Sequence, residues 1–225
     1  MPPKAAKGEY IETFASKYST YMYLRIDTGN KISRKSLIHG TQHIILGGKT
    51  VIQAEAVIRG DLFRLPQSSS SSSSSGGGSQ EGDNNANAHA NAAASSSVAI
   101  TVGRYSYISK QAVLRPPSRF HRGVYSFYPL KIGDHVFVGE RAVVEAATVG
   151  NHVHIGRDAV IGNMAILKDY SYVLDGAVVP PQMVVPSFCV VGGAPARIVG
   201  EVGEGYGVEG AEGGLARERY RMVGR

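Results

Sequence analysis

Aliphatic residues recur at every sixth position along the second half of the chain. The recurrence holds over eight consecutive hexads, at Val149, Ile155, Ile161, Leu167, Val173, Val179, Val185 and Val191. A period of six matches neither the 3.6-residue period of an α-helix face nor the two-residue alternation of a single strand. It is the hexapeptide period of a parallel β-helix, in which each hexad contributes one short strand to a coil.

Two other positions of the hexad are also biased. When each aliphatic residue is counted as position one, position five is mostly small and reads Val153, Ala159, Ala165, Ser171, Ala177, Met183, Cys189 and Pro195. Position two is often glycine, as at Gly150, Gly156 and Gly162. A branched inward side chain with a small inward companion fits a narrow prism, and glycine suits a corner that bends or needs an unusual φ. Three hexads then make one triangular coil of about eighteen residues.

The same period can be followed towards the start of the chain. It continues through Ile132, Val138 and Val144, through Val102, Ile108 and Leu114, through Ile45, Val51 and Val57, and more weakly through Ile32 and Ile38. The step from Val144 to Val149 is five residues, so one corner is predicted to be a residue short. The stretch 116–125 fits poorly and is either a degenerate coil or an excursion loop, of which the loop is favoured. Residues 32–62 and 98–196 together predict about seven coils.

The chain divides into one repeat domain and segments outside the repeat. Residues 1–31 lack the period and are predicted to form an irregular or stranded cap, whereas residues 32–199 form the β-helix. Residues 66–97 are rich in Ser, Gly, Asn and Ala, cannot bury apolar area, and are predicted to form a disordered loop at one corner. Residues 200–225 are a glycine-rich tail in which 215–222 reads as a short helix. Because the ends of a solenoid expose unpaired strands, these terminal pieces are predicted to cap it.

Charge and composition limit the partners and the compartment that the chain can have. The formal net charge is +6, and the basic residues lie near the irregular stretch, at Arg115, Arg119, Arg122 and Lys131, and at the end, at Arg217, Arg219, Arg221 and Arg225. Since no basic run is interleaved with aromatic residues, an acidic protein partner is favoured over nucleic acid, and general solubility is the simpler explanation of the charge. Cys189 is the one cysteine in the sequence, so an internal disulfide is excluded, which fits a reducing compartment. Its position in the hexad predicts a small core residue. No transmembrane helix and no secretory signal are expected.

The placement of histidines raises the question of a metal site. His135 and His152 share position four of their hexads and lie one coil apart, so their rings are predicted to stack, with His154 on the same side as His152. In γ-type carbonic anhydrases, three histidines at subunit boundaries hold a metal that activates water. The HxxxxH spacing of those enzymes is missing, so surface histidines are favoured and no metal, cofactor or catalytic residue is assigned. The segment Arg59–Asp61 resembles an Arg/Asp motif of the same enzymes and is read as an ion pair or corner contact.

A second enzyme class shares one motif with this chain. The segment Val191–Arg197 resembles the terminal G-x-P-A-K/R element of CoA-dependent hexapeptide acyltransferases. Its proline ends strand pairing and turns the chain away from the prism, which a scaffold also needs. Acyl transfer further requires a general-base histidine at a cleft between subunits, for which His121 on the irregular stretch is a candidate without a second positioned group. A homotrimeric enzyme of either class is the alternative to a non-catalytic protein.

Several segments carry a more specific resemblance than the hexads do. They are residues 10–13, 29–34, 57–62, 113–117, 127–137 and 179–186, and they include Arg115-Pro116-Pro117 and Pro129-Leu130-Lys131-Ile132-Gly133-Asp134-His135. Together they resemble the dynactin subunit 5 family over nearly the whole repeat region. The period predicts an all-β, single-stranded parallel β-helix with a short C-terminal helix, and the resemblance implies that this β-helix winds left-handed.

The resemblance also implies a function. Such proteins are non-catalytic structural subunits at the pointed end of dynactin, a cytoplasmic and cytoskeleton-associated complex. They pair with a sibling β-helix subunit, lie with an actin-related protein, and support cargo binding by the dynein–dynactin motor, for example to endosomes. Neither nucleic-acid binding nor membrane insertion is implied. Three features depart from the family pattern: residues 14–27 are inserted, the serine-rich loop is extra, and the tail is glycine-rich.

Overall fold

Three parallel β-sheets wrap around one apolar axis and form a triangular prism. A computed structural model describes residues 23–25, 28–63, 98–121, 123–203, 205–206 and 214–223. The chain adds one short strand to each face in a fixed order and then moves on to the next coil. This arrangement confirms the predicted all-β, single-stranded parallel β-helix.

Each face of the prism is a ladder of parallel strands. Face 1 contains β2 (Lys31–Ser33), β5 (Val51–Ile52), β8 (Tyr107–Ile108), β13 (Phe137–Val138), β16 (His154–Ile155), β19 (Tyr172–Val173) and β22 (Cys189–Gly192). Face 2 contains β3 (Leu37–His39), β6 (Val57–Arg59), β9 (Val113–Leu114), β14 (Val143–Val144), β17 (Val160–Ile161) and β20 (Val178–Val179). Face 3 contains β4 (Ile44–Leu46), β7 (Ile100–Val102), β12 (Leu130–Ile132), β15 (Thr148–Val149), β18 (Ile166–Leu167) and β21 (Val184–Val185). These ladders agree with the prediction of about seven coils.

The six-residue period marks the side chains that fill the axis. All eight aliphatic residues from Val149 to Val191 are at most 1% exposed, and each lies in register with its counterparts one coil away. Burying one such side chain contributes roughly 1.5–3 kcal/mol. The small residues at position five are buried beside them as far as Ala177, whereas Met183 and Cys189 are only partly buried. The interior of the prism is therefore filled by side chains at the two hexad positions that the sequence predicts to face inward.

In the first coils the inward phase differs from the prediction by one residue. The side chains on the axis are Leu46, Ile52 and Ile58, which are 4%, 0% and 0% exposed, and not Ile45, Val51 and Val57. At each of these places two aliphatic residues stand side by side, so the period alone cannot select the inward one. A 3₁₀ turn at Thr41–His43 also lengthens the corner before Ile44–Leu46. Ile32 and Ile38 are in register with Ile52 and Ile58 and belong to the core, as predicted.

The corner glycines are required by close approach and not by a positive φ. A Cβ on Gly150 would lie 2.7 Å from the backbone nitrogen of Asp169 in the next coil. The left-handed conformation falls two residues later, where His152 has a φ of 55°. Of the two predicted reasons for glycine here, a bend or an unusual φ, the unusual φ is therefore wrong. Neighbouring coils are instead too close together at these positions to admit a side chain.

The repeat ends where the predicted terminal motif begins. Pro195 is exposed and Ala196 is buried instead, so the last predicted inward position is displaced by one residue. The chain then reverses into β23 (Arg197–Glu201), which pairs antiparallel with β22. The motif thus ends the parallel coil, as predicted.

Both edges of face 1 are covered by antiparallel strands. β1 (Tyr23–Arg25) pairs with β2 at one end, as the predicted stranded cap would, and β23 covers the other end. Helix α1 (Leu215–Met222) has the predicted bounds, but it packs on the outside of face 1 and does not cap an end. Apart from β1, residues 1–27 lie outside the described residues, and so does the predicted disordered loop 66–97. The predicted domain boundaries therefore stay a prediction.

The irregular segments of the coil lie at the corner between faces 2 and 3. The chain between β6 on face 2 and β7 on face 3 spans this corner, and its residues 64–97 lie outside the described residues. One coil further on, the same corner holds an antiparallel hairpin of β10 (Ser118–His121) and β11 (Val124–Phe127). The excursion predicted for 116–125 is thus a hairpin, which leaves the parallel ladders of faces 2 and 3 continuous.

Candidate functional site: the outer faces of the prism

The outer side of face 2 carries an unbroken column of aliphatic side chains. One residue from each strand contributes, and the column reads Leu37, Val57, Val113, Val143, Val160 and Val178. Leu37 is 55% exposed, and Val160 and Val178 are each 38% exposed. At about 4.8 Å per strand the column is roughly 24 Å long. We call it the face 2 stripe, and an exposed apolar surface of this extent is typical of protein contact sites.

Ion pairs border the face 2 stripe on the corner shared with face 1. Arg141 donates two hydrogen bonds to Asp158, at 2.6 and 2.7 Å, and Arg157 donates to Asp175 Oδ2 at 2.8 and 3.0 Å. These bonds lower the pKa of both carboxyl groups below its ordinary value. Exposed pairs of this kind add little to folding stability. Fixed charges of this kind are known to set orientation and register in protein contacts.

Face 3 is more polar along the corresponding column. Its outward residues include Thr101, Lys131 and Thr148, followed by Ile166 and Val184 nearer the C-terminal end. Alternation of inward apolar and outward polar residues is the usual pattern of a sheet that faces water. With Ile45 at the other end, three of the six outward residues of this column are polar, whereas all six residues of the face 2 stripe are aliphatic.

Face 1 is aromatic on its outer side, and helix α1 covers part of it. Tyr107, Phe137, His154 and Tyr172 stack in one column, with ring centroids 5.7, 4.8 and 4.3 Å apart. Ala216 of the helix is buried against Val51, Tyr107 and Phe137 in a second small core. The guanidinium of Arg219 lies 5.0 Å from the Phe137 ring centroid, a cation–π contact. Face 1 is thus already occupied by the chain's own helix.

Lys31 fastens the end of helix α1 to face 1. Its ammonium donates to the carbonyl oxygens of Tyr220 and Val223 at 2.7 and 2.5 Å and lies 4.0 Å from the Tyr220 ring centroid. The Tyr220 hydroxyl in turn donates to the carbonyl of Gly29 at 2.8 Å. A cation at the C-terminal end of a helix satisfies carbonyls that have no partner within the helix and interacts favourably with its dipole. This role of Lys31 could not be predicted from the sequence, because no local pattern links residues so far apart in the chain.

The histidines stack in two columns on the side of face 1. His135 and His152 are parallel, with ring centroids 4.6 Å apart, which confirms the predicted stack. They belong to a corner column with Tyr105, Tyr170 and Phe188. His154 instead stacks on Tyr172. Although it is only two residues from His152 in the chain, it therefore belongs to a different column.

Burial governs the protonation of two of these histidines. It lowers the pKa of His154 to about 4, with the Arg219 guanidinium acting in the same direction and Asp175 opposing it. Burial likewise lowers the pKa of His135, helped by His152 and Arg217 and opposed by Asp134. Both rings are therefore neutral near pH 7 and serve as stacking surfaces.

The other candidates for chemistry are dispersed over the prism. Arg59 and Asp61 form a two-point ion pair at 2.8 Å, as predicted. His121 ends β10 of the hairpin, and Cys189 is partly buried against the core. Within the described part of the chain, no group of three or more His, Cys, Asp or Glu side chains is placed to hold a metal ion. Apart from the Arg59–Asp61 pair, the structure therefore brings none of these candidates together.

A signal for the face 2 stripe is present in the sequence and was missed. The residue directly before the six-residue beat is aliphatic at Val143, Val160 and Val178, that is, once in every coil on one face. A polar residue is the default at an outward strand position, so a repeated aliphatic there marks a contact surface.

Comparison with known proteins bears on the family. A family model described as dynactin subunit 5 matches residues 85–208. A dynactin subunit 5 from Dictyostelium discoideum is 32% identical over 151 residues, which cover 67% of this chain and 52% of that protein. The chain thus spans about half the length of this relative.

Solved structures bear on the fold. A hexapeptide transferase family protein from Anaplasma phagocytophilum superposes with a TM-score of 0.52 at 17% identity, over 86% of this chain and 90% of that chain. A perosamine N-acetyltransferase from Caulobacter crescentus gives a TM-score of 0.49 at 14% identity, over 76% and 57% of the two chains. The likeness to the hexapeptide transferase family protein shows the left-handed parallel β-helix, as implied, and at this identity it says nothing about activity.

None of the helices in the described ranges is long and apolar enough to span a bilayer.

Proposed function

Because the chain belongs to the dynactin subunit 5 family, we propose that it is a non-catalytic structural subunit of the dynactin pointed-end complex. In this role it pairs with a sibling β-helix subunit and lies with an actin-related protein, in the cytoplasm and in association with the cytoskeleton. It supports the binding of cargo such as endosomes to the dynein–dynactin motor during transport on microtubules.

The face 2 stripe is the observation that carries this proposal. The prism consists of short strands in continuous ladders, so its surface is preorganised and loses little conformational entropy on binding. Two of the three faces are accounted for, since face 1 is covered in part by helix α1 and face 3 carries a more polar outer column. The flat, apolar outer side of face 2 matches a second flat, apolar strand surface, such as the face of another β-helix.

Charges placed on the face 2 stripe are expected to abolish the pairing. In the double variant Val160→Asp, Val178→Asp, two carboxylates would enter an apolar contact without partners, which costs several kcal/mol. We expect the affinity for the sibling β-helix subunit to fall at least about a hundredfold. The measurement is a binding titration between the purified full chain and the co-purified sibling subunit, with circular dichroism as a check of the fold.

The matched control carries the same charges on face 3. Ile166 and Val184 lie on outward positions of two adjacent strands, as Val160 and Val178 do, so Ile166→Asp, Val184→Asp keeps the charge and the spacing but changes the face. The control is expected to bind like the wild type. If both double variants bound equally well, the pairing surface would not be face 2.

A further inference from the structure

The hairpin of β10 and β11 carries an aromatic group that the proposed pairing through face 2 does not use. Phe120 and Tyr125 are 69% and 59% exposed, more than any other Phe or Tyr in the described residues. They stand directly opposite each other in the strand register and therefore project from the same side of the hairpin. The Phe127 ring lies on that side too, edge-on to Tyr125 at 5.3 Å.

The base of the hairpin is held firmly to the prism. Asn163 accepts a hydrogen bond from the Ser118 backbone N–H at 2.8 Å and donates one to the Ser118 carbonyl at 2.7 Å. Pro116 and Pro117 beneath it are buried, and the Tyr125 hydroxyl donates to Ser118 Oγ at 2.6 Å. The aromatic side chains are thus presented by an anchored element, which reduces the entropy lost on binding.

The hairpin extends along the corner beyond its own coil. Asn163 lies two coils beyond the coil of β9, at the same corner of the prism. The corner of the coil between them, from Val144 to Val149, is the one that is a residue short. Because the base of the hairpin is bonded to Asn163, it passes this short corner.

The sequence segment that contains the hairpin carries only positive charges. From Arg115 to Lys131 the sequence carries Arg115, Arg119, Arg122 and Lys131 and no Asp or Glu, which accounts for four of the six net positive charges. Within the structure Arg115 pairs with Glu145 of the neighbouring coil, and Arg119 and Lys131 are exposed. Arg119 directly precedes Phe120 in β10, so its side chain projects from the other side of the hairpin and lies beside the group of rings, not within it. Exposed aromatic side chains with arginine nearby are typical of energetic hot spots in protein interfaces.

We propose that the hairpin is a second docking element, which inserts Phe120 and Tyr125 into an apolar pocket bordered by carboxylates on a partner protein. A protruding pair of rings requires a concave site, and the exposed cations Arg119 and Lys131 favour an acidic rim. This contact lies at the corner between faces 2 and 3 and is separate from the face 2 stripe. The chain thereby has two independent contacts, one flat and apolar and one protruding and basic.

A photo-cross-linking experiment tests the hairpin. Phe120 is replaced by p-benzoylphenylalanine in the tagged full chain, which is irradiated in native extract and purified, and the cross-linked peptide is identified by mass spectrometry. We expect one protein to be cross-linked, at a segment that contains Asp or Glu next to apolar residues. Charge reversal by Arg119→Glu, Lys131→Glu in the same chain is expected to lower the yield at least about tenfold.

The control places the same photoreactive residue at Phe188, which is 52% exposed on another corner. It should not label the protein that position 120 labels. Cross-linking at position 120 only to this chain itself, to RNA, or to nothing, or a yield unchanged by charge reversal, would overturn the proposal. Dynactin subunits in the same purified sample report separately on the proposed function, so either conclusion can fail without the other.

Discussion

Replacing Ile161 by alanine is expected to lower the free energy of unfolding by about 2–4 kcal/mol, because the side chain is completely buried on the axis of the prism. Its neighbours in the column are Val144 in the preceding coil and Val179 in the following one. These residues are held by backbone hydrogen bonds between coils and cannot move inward to fill the cavity. Urea unfolding followed by circular dichroism measures the change.

The adjacent residue provides a matched control within the same strand. Val160→Ala removes a similar side chain from the outer side of β17, where it is 38% exposed, and is expected to cost less than about 1 kcal/mol. Equal losses for the two variants would contradict the assignment of inward and outward positions. The pair therefore tests the phase of the repeat residue by residue.

Acid is expected to destabilise the fold through His154. Its pKa is lowered from 6.5 to about 4 in the folded chain, mainly by burial, so between these values the unfolded chain binds the proton more readily. The contribution of His154 is therefore complete above about pH 6.5 and is lost as the pH falls towards 4. Linkage gives a loss of about 2–3 kcal/mol between pH 7.5 and pH 4.5. His135, whose pKa is also lowered, acts with the same sign.

A phenylalanine at position 154 separates this effect from general acid denaturation. The ring of His154→Phe would keep its place between Phe137 and Tyr172, whose centroids lie 4.8 and 4.3 Å from it, but it cannot take up a proton. We expect the variant to lose most of the pH dependence between pH 7.5 and pH 4.5 while its stability at pH 7.5 changes little. A variant with the full acid sensitivity of the wild type would show that other groups are responsible.

The repeat could be predicted because its signal is local and occurs many times. Val149 to Val191 all lie on the axis, and the stack of His135 on His152 follows from counting residues around one coil. Where Val51 and Ile52 stand side by side, both satisfy the period within one residue, and only the register with Ile32 and Ile108 decides which faces inward. Single-sequence periodicity cannot contain that information.

Contacts between distant segments could not be predicted from the sequence, for a different reason. Helix α1 has a clear local pattern, but its place on face 1 depends on Lys31 and Tyr107, which are far away in the chain. In the same way, the hairpin was predicted only as an excursion, because its anchor at Asn163 lies two coils further on. A solenoid makes its interior predictable and leaves whatever packs on its outside to be determined by the structure.

The stoichiometry of the assembled chain tests the central claim most directly. The full chain is co-expressed with a sibling β-helix subunit of dynactin, and the purified assembly is weighed by native mass spectrometry with its metal content determined in parallel. The scaffold account predicts a one-to-one pair of the two different β-helix chains, without stoichiometric metal. A stable homotrimer of this chain that holds a metal ion, formed whether or not the sibling is present, would contradict it.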